Sequence, residues 1–220
     1  MAANLHRLVN LETLDVAGYD FSGVSALSEA LNALTALRSL QLAGCSLTGM
    51  KALAPSLLSR LHKFTTGWCH DEDGWEMDVY PHMTQLRDLD VQHRMDDRSL
   101  AALAGLTALE TLDLWGSFTE QGVRALAGMS RLRELALKSD PPLGCAGVEA
   151  LTSALASTTR LTRLDLPANE IADSGLNAIV LATLGVLEEE EDAGGGWPCL
   201  TYSRCHLKWH TCFRLVIQDN

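Results

Sequence analysis

Two hydrophobic spacings alternate along the chain. The first is a short run, Leu-x-x-Leu-x-Leu, found at Leu11-Leu14-Val16, Leu37-Leu40-Leu42, Leu86-Leu89-Val91, Leu109-Leu112-Leu114, Leu132-Leu135-Leu137 and Leu161-Leu164-Leu166. A weakened copy stands at Leu61-Phe64-Thr66 and a decaying one at Leu184-Leu187-Glu189. Successive first leucines are 26, 24, 25, 23, 23, 29 and 23 residues apart. The last part of each run has a period of two, which is the signature of a strand. The second spacing is Gly (or Ser), apolar, any residue, Ala, apolar. It occurs at Gly23–Leu27, Gly49–Leu53, Ser99–Leu103, Gly122–Leu126, Gly147–Leu151 and Gly175–Ile179, with apolar positions three to four apart, as on a helix. Each unit therefore reads as a short strand, a turn and a helix.

One strand with one helix cannot bury its apolar face alone, and stacking neighbours supplies the missing cover. The pattern predicts an α/β leucine-rich-repeat solenoid, a horseshoe with a parallel concave sheet and convex helices. It spans residues 1–190 in about eight repeats, the third and eighth degenerate. An acidic and Gly-rich break and an irregular tail follow over 191–220. The segment Leu161-Thr162-Arg163-Leu164-Asp165-Leu166-Pro167-Ala168-Asn169-Glu170-Ile171-Ala172-Asp173-Ser174-Gly175 resembles the ribonuclease-inhibitor type of leucine-rich repeat. The Gly-apolar-x-Ala-Leu blocks are similar to the repeats of F-box-linked substrate receptors and of bacterial GALA effectors. The resemblance covers roughly residues 5–190 and implies a protein-binding role, with a ubiquitin-ligase substrate receptor or a host-directed effector as alternatives. No F-box precedes the first repeat in this sequence, so a ligase role requires one on another chain or on a missing N-terminal region. In that family an Asn or Cys eight residues after the first core leucine bonds backbone groups in the turn. Here the column reads Tyr19, Cys45, Cys69, Arg94, Ser117, Asp140, Asn169 and Asp192. Local irregularity is expected at Tyr19, Arg94 and Asp140.

Between the inward leucines, alternate strand positions face the concave side. The mid-strand positions are Asp15, Gln41, Thr65, Asp90, Asp113, Ala136, Asp165 and Glu188, five of the eight acidic. Flanking positions add Asp88, Glu134, Arg163, Lys138, Trp115 and Gln92, and one residue further on stand Trp68 and His93. Trp is over-represented among binding hot spots. With strands about 4.8 Å apart, Trp68 and Trp115 are placed to frame His93 within about 10 Å. The candidate partner-binding set is Trp68, Asp88, Asp90, His93, Asp113, Trp115, Glu134, Arg163 and Asp165. Against this stands the plainer role of Asp in Leu-Asp-Leu, which is solubility.

Composition narrows the classes. The formal net charge of −11 argues against nucleic acid, because a phosphate backbone needs clustered Lys and Arg. A protein partner is expected, a basic one suiting the acidic row, with the chain monomeric unless exposed end repeats pair. No apolar run approaches the roughly 20 residues of a bilayer span, and no secretory signal opens the sequence, so a cytoplasmic or nuclear location is expected. The absence of a recognisable cap before Leu5 also suggests a fragment of a longer protein. Nucleophile-elbow, zinc-helix and phosphate-loop motifs are missing, so no enzyme activity and no cofactor are expected.

Two stretches stand apart. Over 63–84 the Ala-Leu pair gives way to Met77-Asp78, amid Asp71, Glu72, Asp73 and Glu76, with His70 and His82. That reads as a solvated, drifted repeat, with a weak cation site as the alternative. In the tail, Cys199, Cys205, His206, His210 and Cys212 raise a metal-binding module as a reading from another class, His206 and His210 having the i, i+4 spacing of a helix face. Phe213–Ile217 is a candidate capping strand. In a reducing compartment the six cysteines are expected as free thiols.

Overall fold

A computed structural model describes residues 5–17, 27–44, 46–47, 49–67, 74–167 and 169, and the backbone of 199–207 and 210–218. Seven parallel strands follow one another in chain order: β1 (Thr13–Ala17), β2 (Ser39–Ala43), β3 (Lys63–Gly67), β4 (Asp88–Asp96), β5 (Thr111–Ser117), β6 (Glu134–Ser139) and β7 (Arg163–Pro167). Each begins two residues after the first leucine of its run. The register stacks the runs on one another, Leu40 on Leu14, Phe64 on Leu40, Leu89 on Phe64, Leu112 on Leu89, Leu135 on Leu112 and Leu164 on Leu135. The eighth run, at Leu184, lies outside the described residues.

The same backbone bond recurs at every strand entry. The Glu12 carbonyl accepts from the N–H groups of Arg38 and Ser39, that of Arg38 from His62 and Lys63, and so on to Arg133, which accepts from Thr162 and Arg163. A buried backbone needs all its polar groups paired, and this ladder extends the pairing of the sheet beyond the strands themselves.

Returning segments are short helices on one side of the sheet: α1 (Ser28–Asn32), α2 (Pro55–Leu58), α3 (Glu76–Val79), α4 (Asp97–Ala102), α5 (Glu120–Val123) and α6 (Gly144–Ala154), several extended by a 3₁₀ turn. Four of the six Gly/Ser-apolar-x-Ala-apolar blocks fall on or beside these helical turns, while those at Gly23 and Gly175 lie outside the described residues. The strand leucines and the apolar helix residues close one continuous core between the two layers. At its β1 end the cover is thinner: Leu14 and Val16 are half-buried, and Leu8 and Val9 are exposed.

The third repeat departs from the solvated segment expected for it. Over 74–84, Trp75, Val79, Tyr80 and Met83 are all buried. Trp75 packs edge-on against Phe64 of β3, ring centroids 6.2 Å apart, and against Tyr80 at 5.1 Å. Aromatic volume here replaces the missing Ala-Leu pair. Of the two acids described in this segment, Glu76 is buried and Asp78 pairs with Lys51 at 2.9 Å, and His82 is exposed. Among the described residues no group of three or more His, Cys, Asp or Glu is placed to hold a metal. His70, Asp71, Glu72 and Asp73 lie outside the described residues.

The tail, expected to be irregular apart from a capping strand at 213–217, contains two antiparallel strands, over 199–207 and 210–218. Strand β9 (His210–Gln218) pairs antiparallel with β7, and β8 (Cys199–Leu207) pairs antiparallel with β9. The strand order is β1-β2-β3-β4-β5-β6-β7-β9-β8. His206 and His210 are therefore on two strands rather than one helix. His206 stands opposite Thr211 and His210 opposite Leu207, so the two histidines occupy opposite faces, which removes the helical basis of the metal reading.

Candidate interaction surface

The sheet face turned away from the helices is the concave face expected from the repeat. One register row crosses it in the order Asp15, Gln41, Thr65, Asp90, Asp113, Ala136, Asp165 and then Arg214 of β9. The neighbouring row contains Lys63, Asp88, Thr111, Glu134 and Arg163. Six of the nine candidate residues, Asp88, Asp90, Asp113, Glu134, Arg163 and Asp165, thus share two adjacent rows. Glu188 lies outside the described residues.

These rows are electrostatically uneven. Arg163 bridges Glu134 at 3.5 Å and Asp165 at 3.4 Å, so the β6–β7 end carries its own counter-charge. Asp113 has no ion-pair partner within bonding distance among the described residues. Its carboxyl titrates above the ordinary 3.8, first because the surrounding sheet strips part of its hydration, then because Asp90 and Asp165 repel its charge; Arg163 offsets this only in part. Asp113 is nonetheless solvent-accessible, so the shift describes a strained surface charge rather than a buried one. Asp90, half-buried, is also raised by desolvation, against a hydrogen bond from the Gln92 amide at 3.4 Å and the attraction of Lys63.

Trp115 sits two residues beyond Asp113 on β5, half-buried on the open face, with Lys138 Nζ 5.9 Å from its ring centroid. Beside it β4 bulges. Val91 pairs with Leu114 and Met95 with Gly116, so Gln92, His93 and Arg94 oppose Trp115 alone. The irregularity expected at Arg94 takes this form, and the Arg94 guanidinium donates to the Asp140 carbonyl at 3.0 Å. Asp140 itself precedes a cis proline, Pro141.

His93 is not on that surface. It continues the inward phase Leu89, Val91, His93, Met95 and is 5 % exposed. Its Nδ1 lies 3.1 Å from Thr66 Oγ1 and its Nε2 3.4 Å from Glu76 Oε1, both partners buried, with the Trp75 ring 5.9 Å away. The expected frame of Trp68, His93 and Trp115 is therefore not assembled: His93 faces the core, Trp115 faces the open side, and Trp68 lies outside the described residues. The buried Thr66–His93–Glu76 cluster was missed, although the alternation 89, 91, 93, 95 carried the signal.

Of the turn column, Asn169 does what the resemblance implied. It is buried, donates from Nδ2 to the carbonyls of Leu137 at 2.6 Å and Pro167 at 3.3 Å, and accepts the Leu143 N–H.

No family model and no curated protein matches the sequence. Among solved structures, the chain is similar to an internalin from Listeria monocytogenes, at 21% identity and a TM-score of 0.55. The fold is a leucine-rich-repeat solenoid. The match covers 80% of this chain and 60% of the internalin, so the chain spans less than two thirds of that protein's length. No helix among the described residues is long and apolar enough to cross a membrane.

Proposed function

We propose that this solenoid is an interaction scaffold that binds a protein partner of basic character on the open face of its sheet. The observation that carries the reading is the acidic row on the open face, where Asp90, Asp113 and Asp165 share one register row and Asp113, partly desolvated and repelled by the other two, is only partly compensated by Arg163. A Lys or Arg from a partner relieves that repulsion, which makes binding and ionisation favour one another. Trp115, half-buried at the end of the same strand, supplies apolar area next to the charge. The charges of the remaining candidates set register and discriminate among partners rather than adding much affinity. An open sheet face leaves reacting groups in water, which suits binding better than catalysis.

The test is capture of partners by the wild-type chain, by the Trp115→Ala/Asp90→Arg double variant, and by Glu149→Arg on the exposed side of α6. A partner bound by wild type and Glu149→Arg but lost from the double variant supports the open face. Equal capture by all three contradicts it. Binding through the acidic rows also weakens as salt rises, because exposed charges are screened within about 8 Å at physiological ionic strength.

A further inference from the structure

The register of the C-terminal hairpin sets Cys205 and Cys212 directly opposite each other. Opposed residues of an antiparallel pair share one face of the sheet, with Cα atoms about 4.5–5.5 Å apart. That span lies inside the roughly 4.4–6.8 Å over which a disulfide forms without backbone movement. We propose that Cys205 and Cys212 are a thiol pair that a low-molecular-weight disulfide oxidises to a cross-strand bond.

The alternatives are separated by the same backbone. Cys199 shares the parity of Cys205 on β8 but stands opposite Gln218, six residues along the strand and so about 20 Å away. Cys145 lies in α6, outside the sheet. The position of the pair gives the bond a consequence. Cys212 is also the residue of β9 that meets Pro167, the last residue of β7. A Cys205–Cys212 bond therefore ties the outermost strand to the one strand that joins the hairpin to the repeats, at the row nearest the end of β7.

The chemistry balances with one equivalent of oxidant. One cysteine thiolate attacks a sulfur of the small disulfide and expels one thiolate, leaving a mixed disulfide. The second cysteine thiolate attacks the protein sulfur of that intermediate and expels the other. The two cysteines together lose two protons and two electrons, and the reagent leaves as two thiols.

Peptide mapping after oxidation by glutathione disulfide tests this on the full chain, with a chelator present. Trypsin cuts after Arg204, Lys208 and Arg214, so Cys205 and Cys212 fall on separate short peptides, 205–208 and 209–214, and Cys199 on a third. Native protein should yield the linked pair of short peptides as the dominant product. Protein oxidised in denaturant should yield links to Cys199 as readily, since five residues separate Cys199 from Cys205 and six separate Cys205 from Cys212. A native product dominated by Cys199 links, or native protein in which Cys205 and Cys212 both remain open to alkylation, overturns the proposal. Hydrogen exchange adds an independent readout: oxidation should slow exchange across 199–218, and Cys205→Ser should abolish that slowing.

Discussion

At Gly116 a side chain has no room. A Cβ there would collide with the Met95 carbonyl and the Phe118 ring, because the β4 bulge brings the two backbones together at this point. Gly116→Ala is expected to destabilise the fold by about 1–3 kcal/mol, the usual cost of overpacking, measured by urea titration. Asn169 acts by bonding rather than by size. Asn169→Ala strands the Leu143 N–H and two carbonyls, which is expected to cost about 1–3 kcal/mol in the same measurement. Asp113 has the opposite sign. Its folded state holds a proton more tightly than the ordinary 3.8 of the unfolded chain, so its contribution to stability is lost as pH rises through the raised folded value. Asp113→Asn should therefore be more stable than wild type at neutral pH. The gain stays below about 1 kcal/mol because solvent screens an exposed charge. It should vanish below pH 3.8, where the acid is protonated in both states; a variant less stable than wild type at pH 7 would contradict the strained-charge account.

Elements were legible where one spacing dominated. The seven described strands begin two residues into their leucine runs because period-two burial leaves a clear trace even in five residues. Two things hid from the same reading. In the third repeat, Trp75, Val79, Tyr80 and Met83 keep a helical spacing, but the acids around them made the segment look solvated. Near His93, the neighbouring Trp115 lies on the open face, whereas the parity of β4 places the imidazole inward against Thr66 and Glu76. Both misreadings have one physical root: a polar residue in a repeat can be tolerated inside if it finds a bonded partner, and the partner is distant in sequence. The cluster predicts a non-additive pair. Glu76→Ala alone should cost about 1–3 kcal/mol or more by leaving the buried imidazole short of a bond, whereas Glu76→Leu combined with His93→Leu should cost less than the sum of its parts. Additive losses in a denaturant double-mutant cycle would show that the two side chains do not act together.

For the whole molecule, the repeat explains both the stability and the openness of the structure. From β2 to β7 the strands bury their leucines against the helix layer and one another, so the opposite face carries no packing duty and is free to carry charge. That division of labour was readable from sequence, since alternate positions of the strands are acidic while their neighbours are leucine. The row's strain was not readable, because it depends on three repeats bringing Asp90 beside Asp113, and Asp165 into the same row one strand beyond Ala136. If the open face meets a partner, a photoreactive residue placed at Asp113 should give a discrete protein adduct, reduced by high salt, and the same residue at Glu149 on the exposed side of α6 should give none of the same mass. An adduct formed from position 149 and absent from position 113 would contradict binding at the open face.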